Sequence, residues 1–242
     1  MTTSNTSPLA WRRTMMESVT IILSILLAFA IDAGWDEIKE RNQEKAFLSS
    51  LLSDFKETRS RIDKSTDAHM EFISSGRQLL SFKDGKTPNI KTEQLERMLA
   101  AIFYDFNSLY LPSGSRDALF ASGDIEIISN VELRAMLAAW PSMVADASED
   151  DNFIANDVMN HLAPYLNSKV PTRNVARFVS SKFAAEYIPP IEAVNYDILW
   201  KDPLFDNNVT FRIMNETYAL LENANLSKSA DDIIRVIEKE LN

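Results

Sequence analysis

The sequence predicts an all-α protein: one N-terminal transmembrane helix continuing into a long stalk helix, packed with a helical domain. Three observations predict it. The stretch from Trp11 to Trp35 is apolar on every face at its centre, apolar residues elsewhere recur at three- and four-residue spacing, and no glycine follows Gly123. The expected divisions are a tail over residues 1–10, a membrane helix over 11–35 and a helical domain over 36–242. Within that domain, 36–82 is the long stalk helix and 91–242 a bundle.

The first element reads W-R-R-T-M-M-E-S-V-T-I-I-L-S-I-L-L-A-F-A-I-D-A-G-W. Trp11 and Trp35 lie 24 residues apart, which is ~36 Å along a helix, so both indoles fall in the headgroup zones of a ~30 Å hydrocarbon core. The competing reading is a cleaved signal peptide. The uncharged run from Ser18 to Ile31 is only 14 residues, and Ala28-Phe29-Ala30 has the form of a cleavage site. Retention is favoured because the helical pattern continues past Ala30 with no breaker except Gly34, and because Glu17 is foreign to a basic signal-peptide start. Either way the remainder crosses the membrane. Arg12 and Arg13 stand unopposed before the span, whereas Asp36, Glu37 and Glu40 outnumber Lys39 and Arg41 after it. The N-terminus is therefore expected in the cytoplasm and the domain outside it, which in a bacterium means an inner-membrane protein with a periplasmic domain.

Glu17, Thr20, Ser24, Ala28 and Asp32 follow one another at steps of three or four and form one stripe on the span. Small residues at this spacing let helix backbones approach, so the stripe is a candidate association face for a homo-oligomer. The bland alternative is that Thr20 and Ser24 bond their own backbone while Glu17 and Asp32 mark the two ends. A sharper one places the two carboxylates at the mouths of an oligomeric pore.

Residues 1–10 are Ser/Thr-rich without a periodic apolar face, and a short disordered tail is expected there. The 242-residue chain has 45% hydrophobic residues, enough to bury a core. Its net charge of −10 sits wholly beyond the span, where 23 basic residues face 33 acidic ones from position 36 onward. An acidic body repels phosphates and argues against nucleic acid as a partner. Without cysteine there are neither disulfides nor thiolate metal ligands.

From Trp35 to Phe82 there is no proline and one glycine, Gly76, while Ile38, Phe47, Leu48, Leu51, Leu52, Phe55, Ile62, Met70, Ile73 and Leu80 recur at helical spacing. One very long helix, or two in line, should form a stalk of up to ~70 Å. Lys83–Asn89 is a turn cluster, after which Thr92 is expected to cap a helix carrying Leu95, Met98, Leu99, Ile102, Phe103 and Phe106. A short helix through Leu119 should stop at Ser122-Gly123, and Asp124–Ser129 alternates as a short extended segment would. Ser129 opens a capping box with Glu132 for a helix that Pro141 is expected to kink. Ser148 should start a further helix, Asp202-Pro203 another through Leu204, Val209, Ile213, Tyr218 and Leu221, and Ser229–Asp232 a last one through Ile237.

The basic dipeptide, the span, F-L-x-x-L-L-x-D over Phe47 to Asp54, and A-L-F-A-S-G-D-I-E-I-I-S-N-V-E-L-R together resemble a bacterial family of unknown function. Its members have a single N-terminal membrane helix followed by a helical extracytoplasmic domain. The recurring segment falls here on Ser122, Gly123, Ile128, Asn130, Leu133 and Arg134, with Ser129 intervening. The resemblance implies architecture and brings no activity; Asn130 and Arg134 read as helix-start fixtures.

Chemistry-bearing patterns are sparse. His69 and His161 each lack a second His at ligand spacing, so core or surface roles outweigh a metal site. Ser113-Gly-Ser115 lacks the flanks of a nucleophile elbow, no glycine-rich loop leads into a helix, and Tyr104, Asp105, Tyr110 and Arg116 could equally line a polar cleft or serve core and turns. The chain is expected not to be an enzyme and to hold no cofactor, metal or catalytic residue. Its expected role is a membrane-anchored scaffold or interaction protein of the bacterial envelope, with the lipid bilayer, further copies of itself and another envelope protein as partners. The alternative is a homo-oligomeric channel or force-coupled device.

Overall fold

The computed structural model describes residues 8–85, 90–179, 184–192 and 194–242. Its backbone is helix α1 (Pro8–Lys83), 76 residues and ~114 Å without a break. Expected as one or two helices, the stalk is one with the span, and Gly34 and Gly76 both lie inside it. Of the tail expected over residues 1–10, residues 8–10 are helical instead, and residues 1–7 lie outside the described residues. After α1 come α2 (Thr92–Phe103), α3 (Gly114–Ala121), α4 (Val131–Asp157), α5 (Ala163–Lys169), α6 (Arg173–Ala176), α7 (Ala184–Tyr187), α8 (Asp197–Trp200) and α9 (Pro203–Leu241). Among the described residues there is no strand, and the all-α expectation holds.

From Glu44 outward α1 is no free-standing stalk. Its buried positions, Glu44, Leu48, Leu51, Phe55, Thr58, Ile62, Ser65, His69, Phe72 and Leu79, keep mainly to alternating steps of three and four, the seam of a helix packed along its length. The partner is α9, antiparallel: Lys83 meets Asp206 at 3.2 Å, Arg59 meets Asp231 at 3.0 Å and Lys56 meets Glu238 at 2.8 Å. Exposed pairs of this kind stabilise little and here mainly report direction. Helix α4 completes a three-helix bundle, parallel to α1. Its base is tied where Asn130 donates to Glu240 at 2.8 Å and the Ser129 N–H donates to Glu44 at 2.7 Å.

Gly76 lets the two long helices approach. A Cβ there would stand 2.7 Å from Cγ1 of Ile213 and 2.9 Å from its Cδ1. Two apolar cores flank the middle of the bundle. The one nearer the span joins Leu48, Leu51, Phe55 and Ile62 to Leu133, Leu137 and Trp140 of α4 and to Leu226, Ile233 and Ile237 of α9, with Phe55 edge-on to Trp140 at 5.1 Å. The outer one gathers Leu79, α2, Ile154, Val158, Leu162, Val175, Leu199, Phe205 and Val209, with Phe103 stacked on Phe205 at 5.7 Å.

Several boundaries differ from expectation, each for a local reason. Pro141, the expected kink, lies inside α4, which runs 27 residues through it and takes in the separate helix expected from Ser148. The Leu137 carbonyl, which a residue-141 N–H would normally occupy, instead accepts from Arg116 Nε at 2.8 Å. Ser148 is accordingly mid-helix and donates to the Val144 carbonyl at 2.7 Å. The cap of α4 is Asn130, whose side chain accepts from the Leu133 N–H at 2.9 Å, so Ser129 is not the cap. Arg134 holds the Ile128 carbonyl at 3.0 Å, and Asp124–Ile127 is a 3₁₀ turn rather than extended. Pro164 is accommodated by a π turn over Val158–Leu162, in which the Ala163 N–H reaches back to Val158. Asp202 caps α9 as expected, accepting from the Leu204 N–H at 2.9 Å, but α9 then runs 39 residues and absorbs the separate helix expected at Ser229. The first position of α2 is Thr92, with Lys91 preceding it as the cap residue. Gly123 takes φ +77° after α3, the left-handed conformation glycine adopts without steric cost.

Candidate functional site

The apolar half of α1 is the first candidate. Ile21, Ile22, Leu23, Ile25, Leu26, Leu27, Phe29 and Ile31 all stand more than half or at least half exposed, as do Trp11 and Trp35. This is one helix long and apolar enough to cross a membrane, near the N-terminus, and none of its apolar window is buried against the domain. Glu17, Thr20, Ser24, Ala28 and Asp32 are likewise exposed and share one side of it. The Thr20 hydroxyl donates to the Met16 carbonyl at 2.9 Å and the Ser24 hydroxyl to the Thr20 carbonyl at 2.8 Å, so both are satisfied within the helix while their small Cβ substituents leave the surface low. The backbones of Arg12 and Arg13 are helical; their side chains lie outside the described residues.

The second candidate is a buried polar layer between the two cores, which the sequence did not single out. Arg212 and Glu216 of α9 are fully buried one helical turn apart, with Arg212 Nε donating to Glu216 Oε1 at 2.5 Å. Arg212 also donates to the Asp105 carbonyl at 2.8 Å and lies over the Phe72 ring at 5.0 Å. His69 of α1 stands between two carboxylates. Its Nδ1 lies 2.5 Å from Glu216 Oε2 and its Nε2 3.3 Å from Asp151 Oδ1 of α4. Burial opposes charge on this ring, but the hydrogen bonds and attraction of Asp151 and Glu216 outweigh it and raise the pKa to about 9. The ring is therefore an imidazolium at neutral pH, donating from both nitrogens. Asp151 further accepts the Leu109 N–H at 3.0 Å, and Ser65 Oγ receives Asn107 at 2.7 Å and Asn223 at 2.8 Å. One layer thus ties α1, α4, α9 and the segment after α2.

Two more α1 carboxylates hold connecting chain. Asp54, the last residue of the F-L-x-x-L-L-x-D run, accepts the Ser115 N–H at the start of α3 at 2.9 Å. Burial would raise the Glu44 carboxyl, but the Ser129 hydrogen bonds and Arg41 hold it below its ordinary range. His161 is exposed beside Asp157 at 2.9 Å, far in character from His69. Tyr104, Asp105, Tyr110 and Arg116 are not one cleft. Tyr104 bonds Asn167, the Asp105 and Tyr110 carbonyls serve Arg212 and Arg61, and Arg116 covers Phe120 and the Leu137 carbonyl. Among the described residues no group of three or more His, Asp or Glu side chains is placed to hold a metal ion. The charged side chains of the His69 layer are buried, and they are paired only in the helix register that brings His69 between Glu216 and Asp151.

Comparison with family models, with curated proteins and with solved structures finds no match, so function rests on the geometry.

Proposed function

We propose that the protein is a membrane-anchored helical scaffold or interaction module of the bacterial envelope, self-associating through its membrane helix. The observation that carries this reading is the continuity of α1. One unbroken helix is exposed and mainly apolar from Val19 to Ile31 and becomes the buried seam of a bundle from Glu44. Such a helix links the orientation of the domain to the bilayer, because a sharp kink would break backbone hydrogen bonds and no proline follows Pro8 within it to place one. Arg12 and Arg13 before the span and the acidic excess after it support a cytoplasmic N-terminus with the domain in the periplasm. The stripe Glu17, Thr20, Ser24, Ala28 and Asp32 is the proposed contact between membrane helices, and another envelope protein is the proposed partner of the domain.

The test is topological. A reporter active only outside the cytoplasm, fused after Asn242, should work, and replacing Arg12 and Arg13 by glutamate should reduce insertion or scramble orientation. Activity of a cytoplasmic reporter alone at that position would overturn the orientation. Release of the full chain from membranes by carbonate would overturn the anchor.

A further inference from the structure

Helix α9 has two seams. Val209, Arg212, Glu216, Ala219 and Asn223 face the bundle, as a packed helix requires. The opposite side should be polar, yet between Asp206 and Glu222 none of its exposed positions is charged, in a chain one quarter of whose residues are charged. Instead Leu204, Phe211, Met214, Tyr218 and Leu221 stand exposed at steps of seven, three, four and three, the spacing of a heptad seam. Phe153 of α4, half exposed, meets Phe211 edge-on at 6.2 Å and widens the strip. At roughly 100 Å² of free surface per half-exposed large side chain these six offer about 600 Å², the upper end of what a monomer ordinarily leaves uncovered. With a polar rim the strip approaches the ~800 Å² per partner of a standard interface.

The geometry points to a second copy of this chain as the occupant, docked with the two α9 helices parallel and in register, so that Phe211, Met214, Tyr218 and Leu221 each meet their counterparts. Charge selects this face. Two bodies of net charge −10 repel least where neither presents a charge. Orientation follows from the fold. Asn223 meets Ser65 and Asp206 meets Lys83, so the seam runs along α1 from ~45 to ~72 Å beyond Trp35. Two copies anchored in one bilayer present it at the same height and in the same direction, a step that rests on the membrane-anchored reading above. Because Ile213, Glu216 and Asn223 hold α1 on the other side of α9, the two α1 helices stand on the outer flanks, ~27 Å apart at ~9 Å per helix contact.

The absence of cysteine makes single cysteines clean reporters. In the full chain in liposomes, Met214→Cys, Tyr218→Cys and Leu221→Cys should each give a disulfide-linked dimer on mild oxidation, while Thr217→Cys and Lys64→Cys, exposed but off the seam, should not. Met214→Glu with Leu221→Glu, a pair at exposed positions, should abolish the link at Tyr218→Cys without changing the melting of the domain. Ala28→Cys reports the membrane helices separately. A link there with none along α9 overturns the seam and leaves the membrane contact standing, and the reverse pattern spares the seam. Links joining Leu204→Cys to Leu221→Cys, rather than like to like, overturn the parallel arrangement. With the same variants in membranes of the cells that make them, capture of a different protein by the seam cysteines, with no self-link, overturns the second copy as occupant.

Discussion

Stability should fall as pH rises through the titration of His69. The perturbation is pH alone, from 6 to 9.5. The folded-state pKa of about 9 lies above the ordinary value of 6.5, so the folded protein holds a proton that the unfolded chain releases. The resulting stabilisation is complete below the unfolded value and disappears through the folded one. Linkage between those two values amounts to ~3 kcal/mol at pH 6, ~1.4 kcal/mol at pH 8 and almost nothing by pH 10. For a body of about two hundred residues this is a fall in Tm of ~6–12 °C across the range. Circular dichroism melting of the full chain in mild detergent measures it, with His69→Gln as the reference that removes the titrating group but keeps a hydrogen-bonding side chain. Tyr165 and Tyr196, both pushed upward by burial and by neighbouring carboxylates, keep their protons throughout this window in the folded state. His69→Gln should be less stable at pH 7, because Glu216 and Asp151 then lack the intervening cation, and should lose the slope between pH 7 and 9. Parallel pH profiles for the two proteins would refute an imidazolium at this position.

Three further outcomes are expected. Gly76→Leu should destabilise the domain by ~1–3 kcal/mol because Ile213 already occupies the space, whereas Gly34→Ala, with nothing within 4 Å, should be neutral or slightly stabilising; denaturant melts compare them. Arg116→Ala should cost ~1–3 kcal/mol by orphaning the Leu137 carbonyl, and distinctly less with Pro141→Ala, which restores a backbone donor; a double-mutant cycle that adds without coupling would remove that explanation. Ser24→Leu and Ala28→Leu should weaken crosslinked oligomers more than Leu23→Ala and Leu27→Ala, since bulk is added where backbones are proposed to meet; equal behaviour of the pairs counts against the stripe.

Local sequence determined the α class and the apolar half of α1, because helical periodicity, absence of breakers and an all-round apolar segment act within a few turns. It also determined the Asp202 cap and the Gly123 stop, where one residue decides a backbone conformation. Tertiary structure decided what the prolines do. Pro141 reads as a kink that takes a donor out of the helix, and Arg116, 25 positions earlier, supplies the missing donor, a compensation invisible at short range. It decided the meaning of His69 as well. A lone histidine without ligand spacing reads as core, and only antiparallel packing of α1 on α9, with α4 alongside, brings Glu216 and Asp151 to its two nitrogens. The signal available in sequence was indirect: Ser65 and His69 occupy seam positions of α1, and Arg212 and Glu216 those of α9, where apolar residues belong. Finally, periodicity marks Leu204, Tyr218 and Leu221 as apolar helix positions without saying which side is covered. A helix apolar on two sides offers either to its neighbours, and the packing of α1 and α4 on one left the other facing solvent.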